Sequence, residues 1–278
     1  MTLHRLLKED RPIIMGILNL TPDSFSDGGS YTDKGRAVHF ALQMVRDGAD
    51  IIDVGGESTR PGSTRVSPEE QLRRVVDTIT ALRRTLPSHI PISIDTTSSV
   101  VAKAAVSAGA SIINDVRSGR DDEQMFELAA EKGLPIILMH MQGTPETMQI
   151  NPSYQDVIRE IQDFLISRCE KAQAYGVLKE NLVIDPGIGF GKTPVHNLRI
   201  LASLDQFTAM GYPVLLGASR KKFMSGMCGD AEPRDLLGAT CATTTLGVQA
   251  GVKIFRVHDV KENRQAADIA LAITSLPS

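Results

Sequence analysis

The sequence predicts a (β/α)8 barrel whose active site sits at the C-terminal rim of its strands. Two observations carry that prediction. Eight short apolar runs alternate with amphipathic helical segments along 278 residues, which is the order of a parallel sheet closed by crossover helices. Almost every run also ends in polar residues, and in this architecture such strand ends collect on one face. About 250 residues is the usual size of one such barrel. The chain therefore reads as a single domain over residues 1–278, with no Pro/Gly-rich linker dividing it.

The elements follow in order. Strand one, Ile13 to Leu18, leads into Asn19, and strand two, Asp50 to Val54, leads into Gly55-Gly56-Glu57-Ser58-Thr59-Arg60. Between them Val38, Ala41, Leu42 and Val45 repeat at helical spacing, and Gly48 suits the left-handed stop. The next helix opens with Ser67, Pro68 and Glu70, which reads as an N-cap, a proline at the first helical position and the glutamate of a capping box. Pro91 to Ile94 runs into Asp95, Ser111 to Ile113 into Asn114-Asp115, and Pro135 to Met139 into His140. Leu182 to Ile184 runs into Asp185, Val214 to Gly217 precedes Ser219-Arg220-Lys221, and Lys253 to Phe255 precedes Arg256-Val257-His258. Helices are expected near Ser98 to Ala108, Asp122 to Lys132, Ser153 to Tyr175, His196 to Ala209, Pro233 to Ala250 and Val260 to Ser275. The Pro233 segment is rich in threonine and contains Gly238 and Gly247, so packing rather than propensity must hold it.

Two connections, about 21–31 and 55–66, are rich in Gly, Ser, Thr and Asp and are expected to be mobile active-site loops. A third, Met141 to Pro152, reads as a surface excursion. Net charge is −3 and charges are interspersed, so bulk electrostatics give no reason to expect a nucleic-acid partner. No run approaches the roughly 20 apolar residues of a membrane helix, and the charged N-terminus lacks a signal-peptide core. Cys169, Cys228 and Cys241 fit neither a zinc spacing nor a disulfide framework. A cytoplasmic chain with reduced thiols is expected.

The polar strand ends fall into two sets. Asp95, Asn114 and Asp185 end strands three, four and six and converge on one cavity, where two carboxylates and an amide suit a planar heterocycle with an amidine-like edge. Lys221 joins them after strand seven. Arg60, Arg256 and His258, with Asn19, Ser58, Thr59 and the amides of Gly55 and Gly56, suit a polyanion such as pyrophosphate. Asn19 offers one neutral oxygen, as Mg2+ accepts where phosphates supply most ligands. Each such residue also has a plain reading: a strand-end Asp or Asn can cap a turn, and His140 in particular is expected to pack quietly. The run Asp185-Pro-Gly-Ile-Gly-Phe-Gly191-Lys192 matches neither G-x-G-x-x-G nor a Walker loop. Its glycines let backbone approach a flat ligand, with Phe190 as an apolar wall. Lys222 reads as solvated, while a Schiff-base role for Lys221 would need a carbonyl substrate.

Taken together, these motifs resemble those of the dihydropteroate synthases, folate-pathway enzymes, along essentially the whole chain. The matching stretches are Met15 to Gly29, Asp53 to Gly62, Ser93 to Thr96, Ile113 to Asp115, Met139 to Gly143, Asp185 to Lys192, Ser219 to Lys221 and Arg256 to Val260. The resemblance implies condensation of 6-hydroxymethyl-7,8-dihydropterin diphosphate with p-aminobenzoate to give 7,8-dihydropteroate and pyrophosphate, assisted by Mg2+ at Asn19. It assigns Asp95, Asn114, Asp185 and Lys221 to the pterin, and Asn19, Thr59, Arg60, Arg256 and His258 to the diphosphate. Phe25, Pro61, Phe190, Ser219 and Lys221 fall to p-aminobenzoate, and Asp95, Lys221, Arg256 and Asp27 to catalysis. It also implies a cytoplasmic homodimer targeted by sulfonamides. A dissociative, SN1-like substitution is expected, since no side chain is placed as a nucleophile. The competing readings are a pterin-binding methyltransferase barrel, which has no need of Ser58-Thr59-Arg60 and Arg256-Val257-His258, and a non-catalytic pterin-binding paralogue.

Overall fold

The computed structural model describes residues 3–20, 30–58, 62, 63 and 65–276, and for 30–33 the backbone alone. Eight strands run parallel: β1 Ile13–Asn19, β2 Ile51–Gly55, β3 Ile92–Asp95, β4 Ile112–Asp115, β5 Ile136–Met139, β6 Leu182–Asp185, β7 Leu215–Leu216 and β8 Ile254–Val257. They hydrogen-bond in the order β6-β5-β4-β3-β2-β1-β8-β7, and a bridge between Ile184 and Val214 joins the two ends into a barrel. Most strands continue into the polar residue expected just beyond them, because Asn19, Gly55, Asp95 and Asn114 pair in register with one another. β7 is shorter than the expected Val214 to Gly217. Only Leu215 and Leu216 form the ladder with β8, while Val214 makes the single bridge to Ile184.

Alternation along each strand splits the barrel into an outer and an inner set. Outward residues such as Ile14, Ile52, Ile94, Ile113, Leu138 and Ile184 pack under the helices in one continuous core. Inward residues at the N-terminal end, Ile13, Met15, Ile51, Ile112, Ile137, Val183, Leu215 and Ile254, fill the barrel floor. A short helix not anticipated from the sequence, α1 Leu3–Leu7, plugs that floor with buried Leu3 and Leu6. The charged segment is thus amphipathic over a single turn, too short to show a period. With the floor closed by hydrocarbon, the charged inward groups Asp53, Asp95, Asp185 and Arg256 lie above it, towards the C-terminal ends of the strands where the site lies.

The surrounding helices are α2 Ser30–Arg46, α3 Pro68–Thr85, α4 Ser99–Ala108, α5 Gln124–Lys132, α6 Val157–Ala174, α7 Pro194–Ala202, α8 Leu204–Thr208, α9 Leu237–Gln249 and α10 Val260–Thr274. At α3 the Ser67 hydroxyl accepts from Glu70 N as expected, but the Glu70 carboxylate turns to Arg74 at 2.8 Å instead of closing the box. A reciprocal box forms at Thr193 and His196 and starts α7 at Pro194, ahead of the expected His196. The expected helix to Ala209 breaks at Ser203, which lets both Leu204 and Phe207 reach the core. Pro233 to Asp235 forms a 3-10 turn, and α9 begins only after buried Leu236. Cys169 is buried, Cys241 half-buried and Cys228 exposed. Among the described residues no helix is long and apolar enough to cross a membrane.

Candidate active site

At the C-terminal rim the register sets Asn19 beside Gly55, Gly55 beside Asp95 and Asp95 beside Asn114. Gly55 leaves a gap there: a Cβ on it would lie 3.6 Å from both Asn19 Oδ1 and Asp95 Cβ. One layer deeper, β2 turns Asp53 inward, and this residue organises the centre. Its Oδ2 accepts from Arg256 Nε at 2.7 Å and from Asn114 Nδ2 at 3.2 Å. The same guanidinium donates from Nη2 to Asp95 Oδ2 at 2.8 Å. Asp53 is wholly buried and Asp95 nearly so. Arg256, expected among the diphosphate ligands, thus bridges two carboxylates inside the barrel.

One guanidinium shared by two buried carboxylates leaves the trio short of positive charge. Burial pushes Asp95 up to about 7, with Arg256 pulling it down and Asp53 pushing it further up. Asp185, at the end of β6, is raised to about 6, chiefly by burial, although its Oδ1 accepts from Gly187 N at 2.7 Å and Lys221 favours its charge. Both carboxylates therefore gain from a ligand that offers them hydrogen-bond donors. Asp115 points the other way, as alternation requires after inward Asn114. It accepts from Arg117 N and Gly119 N at 2.8 and 2.6 Å and so holds the loop after β4.

On the opposite wall the Lys221 ammonium lies 3.9 Å from the centroid of the Phe190 ring, a cation–π contact. Arg220 adopts a left-handed backbone conformation, φ 56°, and its side chain pairs with Asp259 at the start of α10. That outward pin lets Ser219 and Lys221, on either side, face inward. Ser219 Oγ lies 3.0 Å from His258 Nδ1 and accepts from His258 N at 3.2 Å. The structure thus links Ser219 to His258, which the sequence reading placed on different substrates. Lys222 is exposed, in keeping with its solvated reading.

The glycine loop Asp185 to Lys192 fits against the end of β5 with no room for side chains: a Cβ on Gly187 would fall 1.9 Å from His140 O, at a φ of +71°. Phe190 is nearly buried with Val116, Met139, Met141 and Met148. The segment from Met141 to Pro152 is therefore more than a surface excursion. It covers the phenyl ring, and Gln149 Nε2 donates to Gly189 O at 2.8 Å. The base of the second rim loop is likewise tied down, since Glu57 accepts from Val66 N and from the Gln71 amide. Phe25, Asp27, Thr59, Arg60 and Pro61 lie outside the described residues.

Two residues of the site went unassigned on sequence. Asp53 carried a signal, for it shares the inward phase of Gly55 on a strand whose apolar residues face the helices. Lys192 carried none: it is 2% exposed, and nothing in a glycine run announces a buried ammonium.

A barrel with this rim has a match among known proteins. The model of a family described as pterin binding enzyme covers residues 15–258. The chain belongs to this family. The dihydropteroate synthase of Streptococcus pyogenes serotype M6 is 46% identical, over 99% of this chain and all of that one. Two crystal structures of the Xanthomonas albilineans dihydropteroate synthase superpose on this pterin-binding barrel, covering 96% of this chain and 95% of theirs. The one with 4-aminobenzoic acid has 41% identity and a TM-score of 0.90. The one with 7,8-dihydropteroate has 39% identity and a TM-score of 0.87.

Proposed function

We propose that the chain catalyses the condensation of 6-hydroxymethyl-7,8-dihydropterin diphosphate with p-aminobenzoate, releasing 7,8-dihydropteroate and pyrophosphate in folate biosynthesis. The observation that carries this reading is the rim itself, on a fold and sequence shared with dihydropteroate synthases. Asp95 and Asn114 lie there on strands three and four, and Asp185 on strand six beside the Phe190–Lys221 wall. The carboxylates and amide suit the donor edge of a pterin, and the Phe190–Lys221 wall suits an arylamine carboxylate. The methyltransferase alternative leaves Ser58 to Arg60 and His258 without a diphosphate to hold.

The chain's own residues support a dissociative substitution. As pyrophosphate leaves, positive charge develops on the methylene carbon conjugated with the ring. Asp95 and Asp185, low-dielectric and prearranged, favour that charge electrostatically. Departure is favoured by groups that can donate hydrogen bonds to phosphate oxygens, for which Arg60 and His258 are the candidates. No nucleophilic side chain is needed. Asn19 fits a role in holding Mg2+. Among the described residues no three carboxylate, histidine or cysteine side chains gather to cage a metal, so a cation beside Asn19 would draw its other oxygens from diphosphate and water. When bound there, Mg2+ supplies charge neutralisation to the leaving group.

A homodimer is supported by one surface. α9 carries no charged residue and buries Thr240, Thr243 and Thr244, yet Leu246 on it is 51% exposed. Neighbouring α10 exposes Ile269 and Ile273, and α7 exposes Val195 and Leu198. A second copy covering these three helices satisfies that excess of hydrocarbon.

Pyrophosphate release coupled to a colorimetric readout tests the function directly. Release that requires p-aminobenzoate is the expected result. Release independent of it, or none, would overturn the reading.

A further inference from the structure

The glycine loop contains a charge that the proposed reaction does not use. Lys192 is buried beneath it, and the Nζ group lies 3.0 Å from His140 Nδ1, 3.0 Å from Phe190 O and 3.3 Å from His140 O. An ammonium has three N–H donors and no acceptor, so these three partners match its capacity. For Nδ1 to accept, the His140 ring must be neutral with its proton on Nε2. Burial, Lys192 and Arg120 all hold that ring neutral, far below the ordinary histidine range, at about 2. The ring is set edge-on against Phe164, with centroids 4.9 Å apart. The anchor is thus a rigid histidine at the end of β5, and the tethered atom is the carbonyl of Phe190.

Within the loop Phe190 N donates to Gly187 O at 3.1 Å, and the side chains that reach the loop from outside brace other points. Tyr154 donates to Gly191 O at 2.7 Å, Gln149 to Gly189 O, and Gly189 N to Asn197 Oδ1 at 2.7 Å. Lys192 joins the Phe190 carbonyl to His140, outside the loop. The Phe190 ring in turn sits under the Lys221 ammonium, and a Cβ on Gly189 would come within 3.0 Å of Lys221 Cδ. A shift of the Phe190 backbone therefore moves the surface on which Lys221 rests.

We propose that Lys192 is a positioning residue for the arylamine end of the site: its buried ammonium ties Phe190 to His140, the residue just after strand five, and so fixes the Phe190 ring beneath Lys221. This rests on the proposed reaction, and it adds a residue that touches neither substrate. Burying a lysine with no carboxylate within hydrogen-bond reach is costly, and burial drives its pKa down to about 7 although the charge of Asp185 favours the ammonium. A group held at such cost by three oriented acceptors is suited to fixing geometry.

The test uses Lys192→Met, which keeps the volume and removes the donors, and Lys192→Gln, which keeps a donor. Steady-state kinetics of pyrophosphate release are measured for each, alone and with Phe190→Leu. The expected result for Lys192→Met is a rise of about tenfold or more in KM for p-aminobenzoate, the scale of a lost buried hydrogen bond to a charged donor. KM for the pterin diphosphate should stay within about threefold, and Lys192→Gln should recover part of the loss. In the Phe190→Leu background, Lys192→Met should change KM for p-aminobenzoate by less than about threefold. Equal loss for both substrates, or effects that simply multiply in the double variant, would overturn the proposal. So would failure of both single variants to fold, judged by circular dichroism, since Lys192 would then be structural. If wild-type enzyme releases no pyrophosphate with p-aminobenzoate, the proposed reaction fails instead.

Discussion

Removing Arg256 should destabilise the protein by an amount that depends on pH. The guanidinium makes charge-assisted hydrogen bonds of 2.7 and 2.8 Å to Asp53 and Asp95, and its side chain is 20% exposed against 0% and 7% for theirs. Arg256→Met strands two buried carboxylates, and breaking a buried pair from one side costs about 3–5 kcal/mol. The residual exposure of Arg256 favours the lower end, about 3 kcal/mol at pH 8. The sign of the pH effect follows from Asp95. Its folded value, about 7, lies above the ordinary carboxylate value. Its contribution to stability is therefore full below about pH 4 and is lost as pH rises through about 7. Arg256 is the influence that lowers it, so removing Arg256 raises it again and extends the loss above pH 7. At pH 5.5 a protonated Asp95 needs little from Arg256, and the variant loses mainly the Asp53 bond, about 1.5 kcal/mol at the lower end for a charged hydrogen bond. The gap between wild type and variant should then widen from pH 5.5 to pH 8 by at least about 1 kcal/mol, since each further pKa unit is about 1.4 kcal/mol. Urea unfolding followed by circular dichroism at the two pH values measures it. Adding Asp53→Asn to Arg256→Met should restore part of the stability. A gap that is the same at both pH values, or below about 1 kcal/mol at pH 8, would refute the account of one arginine serving two carboxylates.

Three further outcomes are expected. Asp185→Asn should weaken binding of the pterin diphosphate about tenfold or more, the loss of a charge-assisted hydrogen bond; unchanged affinity by calorimetry would remove Asp185 from the pterin pocket. p-Aminobenzoate should bind well only with pyrophosphate and Mg2+ or the pterin diphosphate present, because the family resemblance assigns Phe25 and Pro61 to its pocket and the sequence around both is rich in Gly, Ser, Thr and Asp and poor in apolar residues; equal affinity with and without them would sink this order. Leu246→Glu with Ile273→Glu should convert a dimer to a monomer in sedimentation velocity, and an unchanged sedimentation coefficient would place the dimer interface elsewhere.

Much of the fold was legible because barrel logic is repetitive. Each apolar run is a strand, each amphipathic stretch a helix, and glycine or proline marks the joins, all of which are local properties of the chain. The same logic placed Asn19, Asp95, Asn114 and Asp185 at one rim, since a polar residue at a strand's C-terminal end has one place to go in a parallel barrel. Boundaries were less legible where tertiary packing overrode local preference, as at Ser203, where the helix breaks so that Leu204 and Phe207 both reach the core. What only the tertiary structure decided is which side chains meet. Arg256 and Asp53 are 203 residues apart, and Lys192 and His140 are 52 apart. Nothing in either neighbourhood states that a guanidinium will choose two carboxylates or that a lysine will be drawn beneath a glycine loop. Those outcomes follow from closing the barrel, which excludes water and obliges every buried charge to find partners among whatever groups the closure brings within reach.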